Sequence, residues 1–159
     1  MLPPDPDART VVIERTFDAP ASLVFEAHSR PEHLLRWYGP PGYPLTLCEI
    51  DFRVGGACRF AMTGPDGEQG PAFGGEYLEI VPDRRISFSN GFELPGAEKM
   101  VVTIDLTPEG ARTHLRMTTV FASLAMKEEH VSRGYLQGVG AGLDQLAALL
   151  PSLSPGARS

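Results

Sequence analysis

The stretch that decides the fold runs from Met126 to Leu150, MKEEHVSRGYLQGVGAGLDQLAALL, and is the longest amphipathic segment in the chain. Placed on a helix at 100° per residue, its large apolar side chains share one broad face: Val131, Tyr135, Val139, Leu143, Leu146, Leu149 and Leu150. A continuous helix of this length would be roughly 36 Å long, enough to cross a small domain. We therefore expect one long C-terminal helix that organises the rest of the molecule.

Glycine interrupts this segment at a regular spacing. Gly134, Gly138 and Gly142 recur at every fourth residue, and Gly140 lies between them. Each glycine costs about 0.5–1 kcal/mol relative to alanine in a helix interior. Two explanations stay open from this stretch alone: close packing of the helix backbone on another element, or space beside the helix for a ligand.

Seven segments with alternating apolar and polar residues precede the helix, and turns rich in Gly, Pro and Asp separate most of them. They are Thr10–Phe17, Leu45–Phe52, Cys58–Thr63, Gly74–Val81, Ile86–Phe92, Met100–Leu106 and Thr113–Phe121. Short connections predict antiparallel neighbours. Two short helices are expected after the first strand, one opening at Ala19-Pro20-Ala21-Ser22 and one from Pro31 to Trp37.

A sheet with one apolar face needs a partner that covers it, and only the C-terminal segment is long enough. The pattern predicts an α+β domain in which a curved antiparallel sheet of six to seven strands holds the terminal helix. We place this domain at residues 10–150, between disordered tails at 1–9 and 151–159.

Composition limits the functions that the chain could serve. The formal net charge of -6 argues against nucleic acid and anionic membrane surfaces as partners. No apolar run approaches a membrane span and the first residues do not resemble a signal peptide, so we expect a cytoplasmic protein without membrane insertion. Cys48 and Cys58 are expected to be buried thiols.

A long helix in a curved sheet is expected to leave a cavity. The candidate lining is Trp37, Phe60, Met62, Phe73, Phe88, Asn90, Met100, Met117, Thr119, Glu128, Tyr135 and Val139. Ordinary core packing is the alternative for the apolar members. Asn90 and Thr119 alternate inward with apolar neighbours, so each needs a ligand, a water or a side chain as hydrogen-bond partner. Glu128 also falls on the inward helix face, where the helix dipole favours a carboxylate, although a charge at the rim would look the same.

Catalytic patterns are sparse. The four histidines are scattered, no pair has metal-ligand spacing on one face, and His28 and His33 are expected at the surface. No nucleophile elbow, phosphate loop or dinucleotide fingerprint occurs. We therefore expect no metal and no cofactor, and no residue pattern requires an enzyme.

The order of several short motifs resembles one known family. The motifs include Phe17-Asp18-Ala19-Pro20, Trp37-Tyr38-Gly39-Pro40, Asp51-Phe52-Arg53-Val54-Gly55-Gly56, Pro65-Asp66-Gly67 and the segment Gly134–Leu146. Together, from about Thr10 to Leu150, they resemble the START-like (SRPBCC) superfamily. Within it they resemble the family like the activator of the heat-shock-protein-ninety ATPase.

The resemblance implies the helix-grip (START-like, birch-pollen-allergen-like) fold and an internal cavity that relatives use for hydrophobic or aromatic small molecules, lipids among them. Two alternatives follow from it: a co-chaperone that stimulates a heat-shock ATPase in a stress response, and a cyclase or hydrolase that uses Glu128, Tyr135 or Asn90. A homodimer is common in such folds. Members often carry a tryptophan after the second glycine of the last helix, but here Val139 follows Gly138. The smaller side chain favours space over close packing.

Overall fold

The structure, a computed structural model, describes residues 6–153. In chain order its strands and helices are β1 (Thr10–Phe17), α1 (Ala21–Ser29), α2 (Pro31–Trp37), β2 (Leu45–Ile50), β3 (Ala57–Met62), β4 (Phe73–Val81), β5 (Arg85–Phe92), β6 (Met100–Glu109), β7 (Arg112–Val120), α3 (Leu124–Ser132) and α4 (Tyr135–Leu149). Short 3-10 turns precede β1 at Pro6–Arg9 and follow α4 at Leu150–Ser152.

All seven strands form one antiparallel sheet in the order β1-β7-β6-β5-β4-β3-β2. Strands β2 to β7 run as a meander, and β1 pairs with β7 at the far edge. Register shifts between Leu45 and Leu47 and between Tyr77 and Glu79 interrupt the ladder, and such bulges bend a sheet. The predicted curved sheet and its C-terminal helix are confirmed.

The two faces of the sheet differ in chemistry. The outer face carries polar contacts between neighbouring strands, including the Arg85–Asp105 ion pair at 2.6 Å and a hydrogen bond between His114 and Glu14 at 2.8 Å. On the inner face, rows of apolar side chains cross the sheet; one row pairs Ile86, Ile104, Met117 and Ile13 in register. This face is the one that the helices cover.

The C-terminal helix is present but is not continuous. Helix α3 ends at Ser132, Gly134 adopts a left-handed backbone with φ 93°, and α4 begins at Tyr135. An L side chain rarely adopts that conformation, so Gly134 ends one helix and allows the next to start in a new direction. The prediction of a single helix from Met126 to Leu150 is wrong in this respect, and side chains of α3 no longer share a face with those of α4.

Helices α1 and α2 join the sheet to α4. The indole Nε1 of Trp37 donates a hydrogen bond to the Ala27 carbonyl at 3.0 Å and so ties α2 to α1. The side-chain amide of Gln145 on α4 donates to the carbonyls of Trp37 at 2.9 Å and Gly39 at 2.6 Å. These carbonyls lie at the end of α2, where helical partners run out. The two bonds therefore fix α4 against α2.

The inner ends of the predicted tails are ordered turns. Pro6–Arg9 and Leu150–Ser152 are 3-10 turns, and Leu153 is buried. Residues 1–5 and 154–159 lie outside the described residues. Cys58 is buried and Cys48 half-buried, and both are free thiols. Within residues 6–153, the helices are too short or too polar to cross a bilayer.

A buried hydroxyl connects β7 to the start of α1. Thr113 is fully buried, and its Oγ1 donates to the Ala19 carbonyl at 2.7 Å. In Thr113→Val the shape is kept but the carbonyl loses its donor, so we expect the free energy of unfolding to fall by about 1–3 kcal/mol in urea titrations. The exposed Thr107→Val on β6 is the matched control and should change it by less than about 0.5 kcal/mol. Equal effects of both substitutions would contradict the assignment.

Buried His28 makes stability depend on pH. Burial lowers the pKa of His28 to about 4, against a smaller opposing effect of its hydrogen bond to Val24. The unfolded chain binds this proton near pH 6.5 and the folded chain does not. The contribution of neutral His28 to the free energy of unfolding is therefore fully present above pH 6.5 and is lost as pH falls toward 4.

Between pH 7 and 4.5 the free energy of unfolding should therefore fall by roughly 2–3 kcal/mol more in this protein than in His28→Phe. The phenylalanine keeps a ring against Trp37 but cannot titrate. Urea unfolding at a series of pH values measures the difference. NMR titration of the His28 ring supplies an independent check. Parallel stability curves for the two proteins would contradict the prediction.

Candidate functional site

A cavity of about 1320 Å³ lies between the inner face of the sheet and the helices. Its buried apolar lining includes many aromatic and methionine side chains. Seven aromatic side chains from strands, helices and loops line the cavity: Trp37, Tyr38, Tyr43, Phe73, Phe88, Phe92 and Tyr135. All four methionines of residues 6–153 also line it, namely Met62, Met100, Met117 and Met126. Exposed loop residues such as Glu68 and Ala97 lie at its open end.

Each glycine of the C-terminal segment has a different role. A side chain at Gly138 would meet no atom within 4 Å, so this glycine leaves space, and it lines the cavity. A Cβ atom at Gly142 would lie 3.8 Å from the backbone oxygen of Trp37, which is an ordinary van der Waals distance. Gly140 is turned toward Arg15, and Gly134 ends α3. Space and close packing both occur, at different positions.

Nine of the twelve predicted lining residues border the cavity: Trp37, Met62, Phe73, Phe88, Asn90, Met100, Met117, Tyr135 and Val139. Two others support the wall from behind. Phe60 is buried between the rings of Tyr38 and Phe73, with centroids 5.3 and 5.7 Å away. Thr119 is fully buried, and its hydroxyl lies 2.8 Å from the Tyr135 hydroxyl, so it already has a partner.

Glu128 is the predicted lining residue that the structure places elsewhere. Its side chain is exposed, and the neighbouring Glu129 borders the cavity instead. The expectation that Glu128 faces inward is wrong. It assumed one continuous helix in which Glu128 shares a face with Tyr135, but the helix is broken at Gly134.

Asn90 on β5 differs from every other polar group in the wall. Its Oδ1 atom is buried and accepts no hydrogen bond from any residue between 6 and 153. Its neighbours across the inner face are apolar, with Met100 directly opposite on β6. A buried acceptor without a partner costs about 1–3 kcal/mol.

His28 was expected at the surface but is buried, and it also borders the cavity. Its Nδ1 lies 2.8 Å from the Val24 carbonyl. A carbonyl only accepts, so Nδ1 carries the proton and the neutral ring leaves Nε2 as an acceptor. The ring packs edge-on against Trp37 at 4.9 Å. The position of His28 beside apolar Val24 and Ala27 in α1 was the sequence signal for burial.

The interior carries no charge near neutral pH. Burial raises the pKa of Tyr38, and burial raises that of Tyr135 against the opposing hydrogen bond with Thr119. The charged lining residues are at the rim: Asp66, Glu68, Glu98, Glu129 and Arg133. Arg133 is the lining's single Lys or Arg side chain among the described residues, and it pairs with Glu129 at 3.4 Å.

The site is therefore an uncharged, largely apolar cavity whose charged residues lie at its rim. No group of three His, Cys, Asp or Glu side chains within the described range could hold a metal ion. Sequence reasoning missed Tyr38, His28, Met126 and Glu129 as lining residues. Of these, Tyr38, Met126 and Glu129 belong to segments that it had named for other reasons.

Comparison with solved structures finds close matches over nearly the whole chain. A protein from Chromobacterium violaceum is 33% identical, with a TM-score of 0.74 over 88% of this chain and 96% of that chain. A protein from Mycobacterium smegmatis is 27% identical, with a TM-score of 0.82 over 94% and 96% of the two chains. A protein from Arthrobacter aurescens is 27% identical, with a TM-score of 0.85 over 94% and 90%.

No curated protein matches the chain. A family model does match, over residues 18–151, and its description is Activator of Hsp90 ATPase homolog 1-like protein. This range includes both short helices, β2 to β7 and the two C-terminal helices. The match covers far more than half of the chain, and the helix-grip architecture agrees with it. The chain therefore belongs to the family of Activator of Hsp90 ATPase homolog 1-like proteins.

Proposed function

We propose that this protein binds a small hydrophobic or aromatic molecule in the cavity between the sheet and α4. The cavity itself is the observation that supports the proposal. Its volume of about 1320 Å³ exceeds the roughly 300–1,000 Å³ typical of small-molecule sites. Protein interiors are otherwise packed to crystal density, so a space of this size is a feature that the fold maintains.

The composition of the wall supports a ligand with an aromatic or aliphatic body. Aromatic rings provide flat surfaces for offset or edge-on packing. Methionine side chains are flexible and polarizable, and they adapt to ligands of different shape. Four methionines around one cavity favour a site that accepts several related molecules.

Neither of the other functions has comparable support. A cyclase or hydrolase requires an acid–base group at the reacting centre, and of the residues considered for that role Glu128 is on the surface. Asn90 and Tyr135 remain in the cavity, but neither is ionised near neutral pH. A co-chaperone role would require a docking surface and makes no use of the cavity.

Binding can be measured with a fluorescent apolar probe. N-phenyl-1-naphthylamine should become brighter on entering the cavity and should raise the thermal unfolding temperature. At a hundred times its dissociation constant, a ligand of the folded state adds about 2.7 kcal/mol of stability. The absence of both signals across a panel of apolar aromatic and lipid probes would contradict the proposed function.

Filling the cavity from the helix should abolish this binding. In Gly138→Leu the new side chain enters open space inside the cavity, and we expect probe affinity to fall by about tenfold or more, which corresponds to about 1.4 kcal/mol. Gly140→Leu makes the same change on the Arg15 side of the same helix and should leave affinity unchanged. Both variants should keep a cooperative unfolding transition, because both remove a glycine from a helix. Equal losses of affinity would place the probe outside the cavity.

A further inference from the structure

We propose that the ligand carries a hydroxyl group that donates a hydrogen bond to Nε2 of His28 in the buried wall of the cavity. The inference rests on the proposed function and specifies the class of molecule that the cavity takes, an apolar molecule with a hydroxyl at its buried end. Molecules of similar shape that only accept hydrogen bonds, such as ethers and esters, are disfavoured by the same feature.

The His28 ring is held in one orientation. Its Nδ1–H donates to the Val24 carbonyl at 2.8 Å, and the ring packs edge-on against Trp37 with 4.9 Å between the ring centroids. Burial lowers the pKa of His28 to about 4, so the ring is neutral at pH 7 and Nε2 has a lone pair and no hydrogen. A ring fixed in this way presents an acceptor that needs no reordering when a donor binds.

The Nε2 atom of His28 is open to the cavity and has no partner. No group between residues 6 and 153 forms a hydrogen bond with it. Among the side chains of this range that are not exposed, Asn90 Oδ1 is the one N or O atom that lacks a partner and is also sealed from solvent. Nε2, which lacks a partner too, therefore keeps accessible surface. Since His28 is buried and borders the cavity, this surface faces the cavity.

A small recess beside His28 has room for a hydroxyl group. The recess has a volume of about 20 Å³ and adjoins the main cavity, and such a volume holds about one water-sized group. The Tyr38 hydroxyl forms no hydrogen bond within residues 6–153 and can donate to the oxygen of a bound hydroxyl. An ether oxygen in the same place would leave Nε2 without a donor. Four residues line both spaces: His28, Tyr38, Phe88 and Ile104.

A second histidine borders the cavity but does not fit this role as well. Nδ1 of His130 lies 2.9 Å from the Met126 carbonyl, one helical turn back, as in His28. His130 is only half-buried, on α3 beside the rim residues Glu129 and Arg133. Water can serve an acceptor at the rim, so a ligand gains little by replacing it. The two histidines share a local geometry and differ in their access to water, which makes His130 a matched comparison.

Three probes with one aromatic body test the inference: 2-naphthol, 2-methoxynaphthalene and 2-methylnaphthalene. The first offers a donor, the second only an acceptor and the third neither. Isothermal titration calorimetry of the full chain at pH 7 measures their dissociation constants. We expect 2-naphthol to bind about 5- to 10-fold tighter than 2-methoxynaphthalene, because only the hydroxyl gives Nε2 a donor.

Substitution of His28 assigns the preference to this residue. In His28→Phe the ratio of the 2-methoxynaphthalene to the 2-naphthol dissociation constant should fall by about 5- to 10-fold, because the ring remains but its acceptor is lost. His130→Phe makes the same change at the second histidine, and whatever its effect on affinity, the ratio should equal that of the original protein. His28→Leu gives the same readout if the phenylalanine variant does not unfold cooperatively.

Nitrogen NMR of the histidine-labelled original protein supplies a readout that needs no substitution. The Nε2 resonance of His28 should move toward the position of a protonated nitrogen when 2-naphthol is added, because a donor then shares its hydrogen with the lone pair. The ether and the hydrocarbon should move this resonance far less.

The outcomes separate this inference from the proposed function. A ratio that His28→Phe leaves unchanged, a ratio that His130→Phe lowers instead, or an Nε2 resonance that responds equally to all three probes overturns the inference while binding stands. Failure of 2-naphthol to bind where N-phenyl-1-naphthylamine binds also overturns it. If no probe binds and Gly138→Leu behaves like Gly140→Leu, the proposed function fails as well.

Discussion

The structure depends on covering one apolar face of a wide sheet with helices that are too few to fill it. Seven strands at about 4.8 Å spacing span roughly 29 Å. Helix α4, with 15 residues, is roughly 22 Å long and only one helix thick. Helices α1 and α2 cover other parts, with α2 against β2 and α1 against β6 and β7. The area that no helix reaches becomes the wall of the cavity.

The break at Gly134 determines how the cavity opens. A single straight helix would carry residues 124–132 onward along the line of α4. Instead α3 begins at a cap in which Ser123 Oγ accepts a hydrogen bond from the Met126 N–H at 3.0 Å. It ends just before Gly134, whose backbone is left-handed. Glu129 and Arg133 thereby come to the rim while Tyr135 stays inside, bonded to Thr119. The charged rim residue Arg133 and the inward-facing Tyr135 are thus only two positions apart in the chain.

The sheet could be predicted from sequence because two local signals agree: alternation marks the strands, and Gly, Pro and Asp mark the turns. All strand ends fall within a few residues of those expected. The helix break could not be predicted in the same way, because Gly134, Gly138 and Gly142 look alike in the sequence. Their roles depend on a backbone angle and on neighbours that are distant in the chain. The error at Glu128 follows directly from that break.

For His28 the buried face of α1 indicates burial, but its contact with Trp37 and its place in the cavity wall are tertiary properties. Asn90 was recognised from alternation alone, but its lack of a partner is a tertiary property. The lining was otherwise predictable, because inward-facing Phe and Met residues of a sheet with one covered face must either pack together or border a space.

The two hydrogen bonds from Gln145 have a consequence for how the protein is made. They join residues 106 and 108 positions apart, and β1 likewise pairs with β7 across most of the chain. A nascent chain on the ribosome therefore has no complete cavity until its last helix emerges and docks. Neither half of the chain, produced as a fragment, would contain a complete cavity wall.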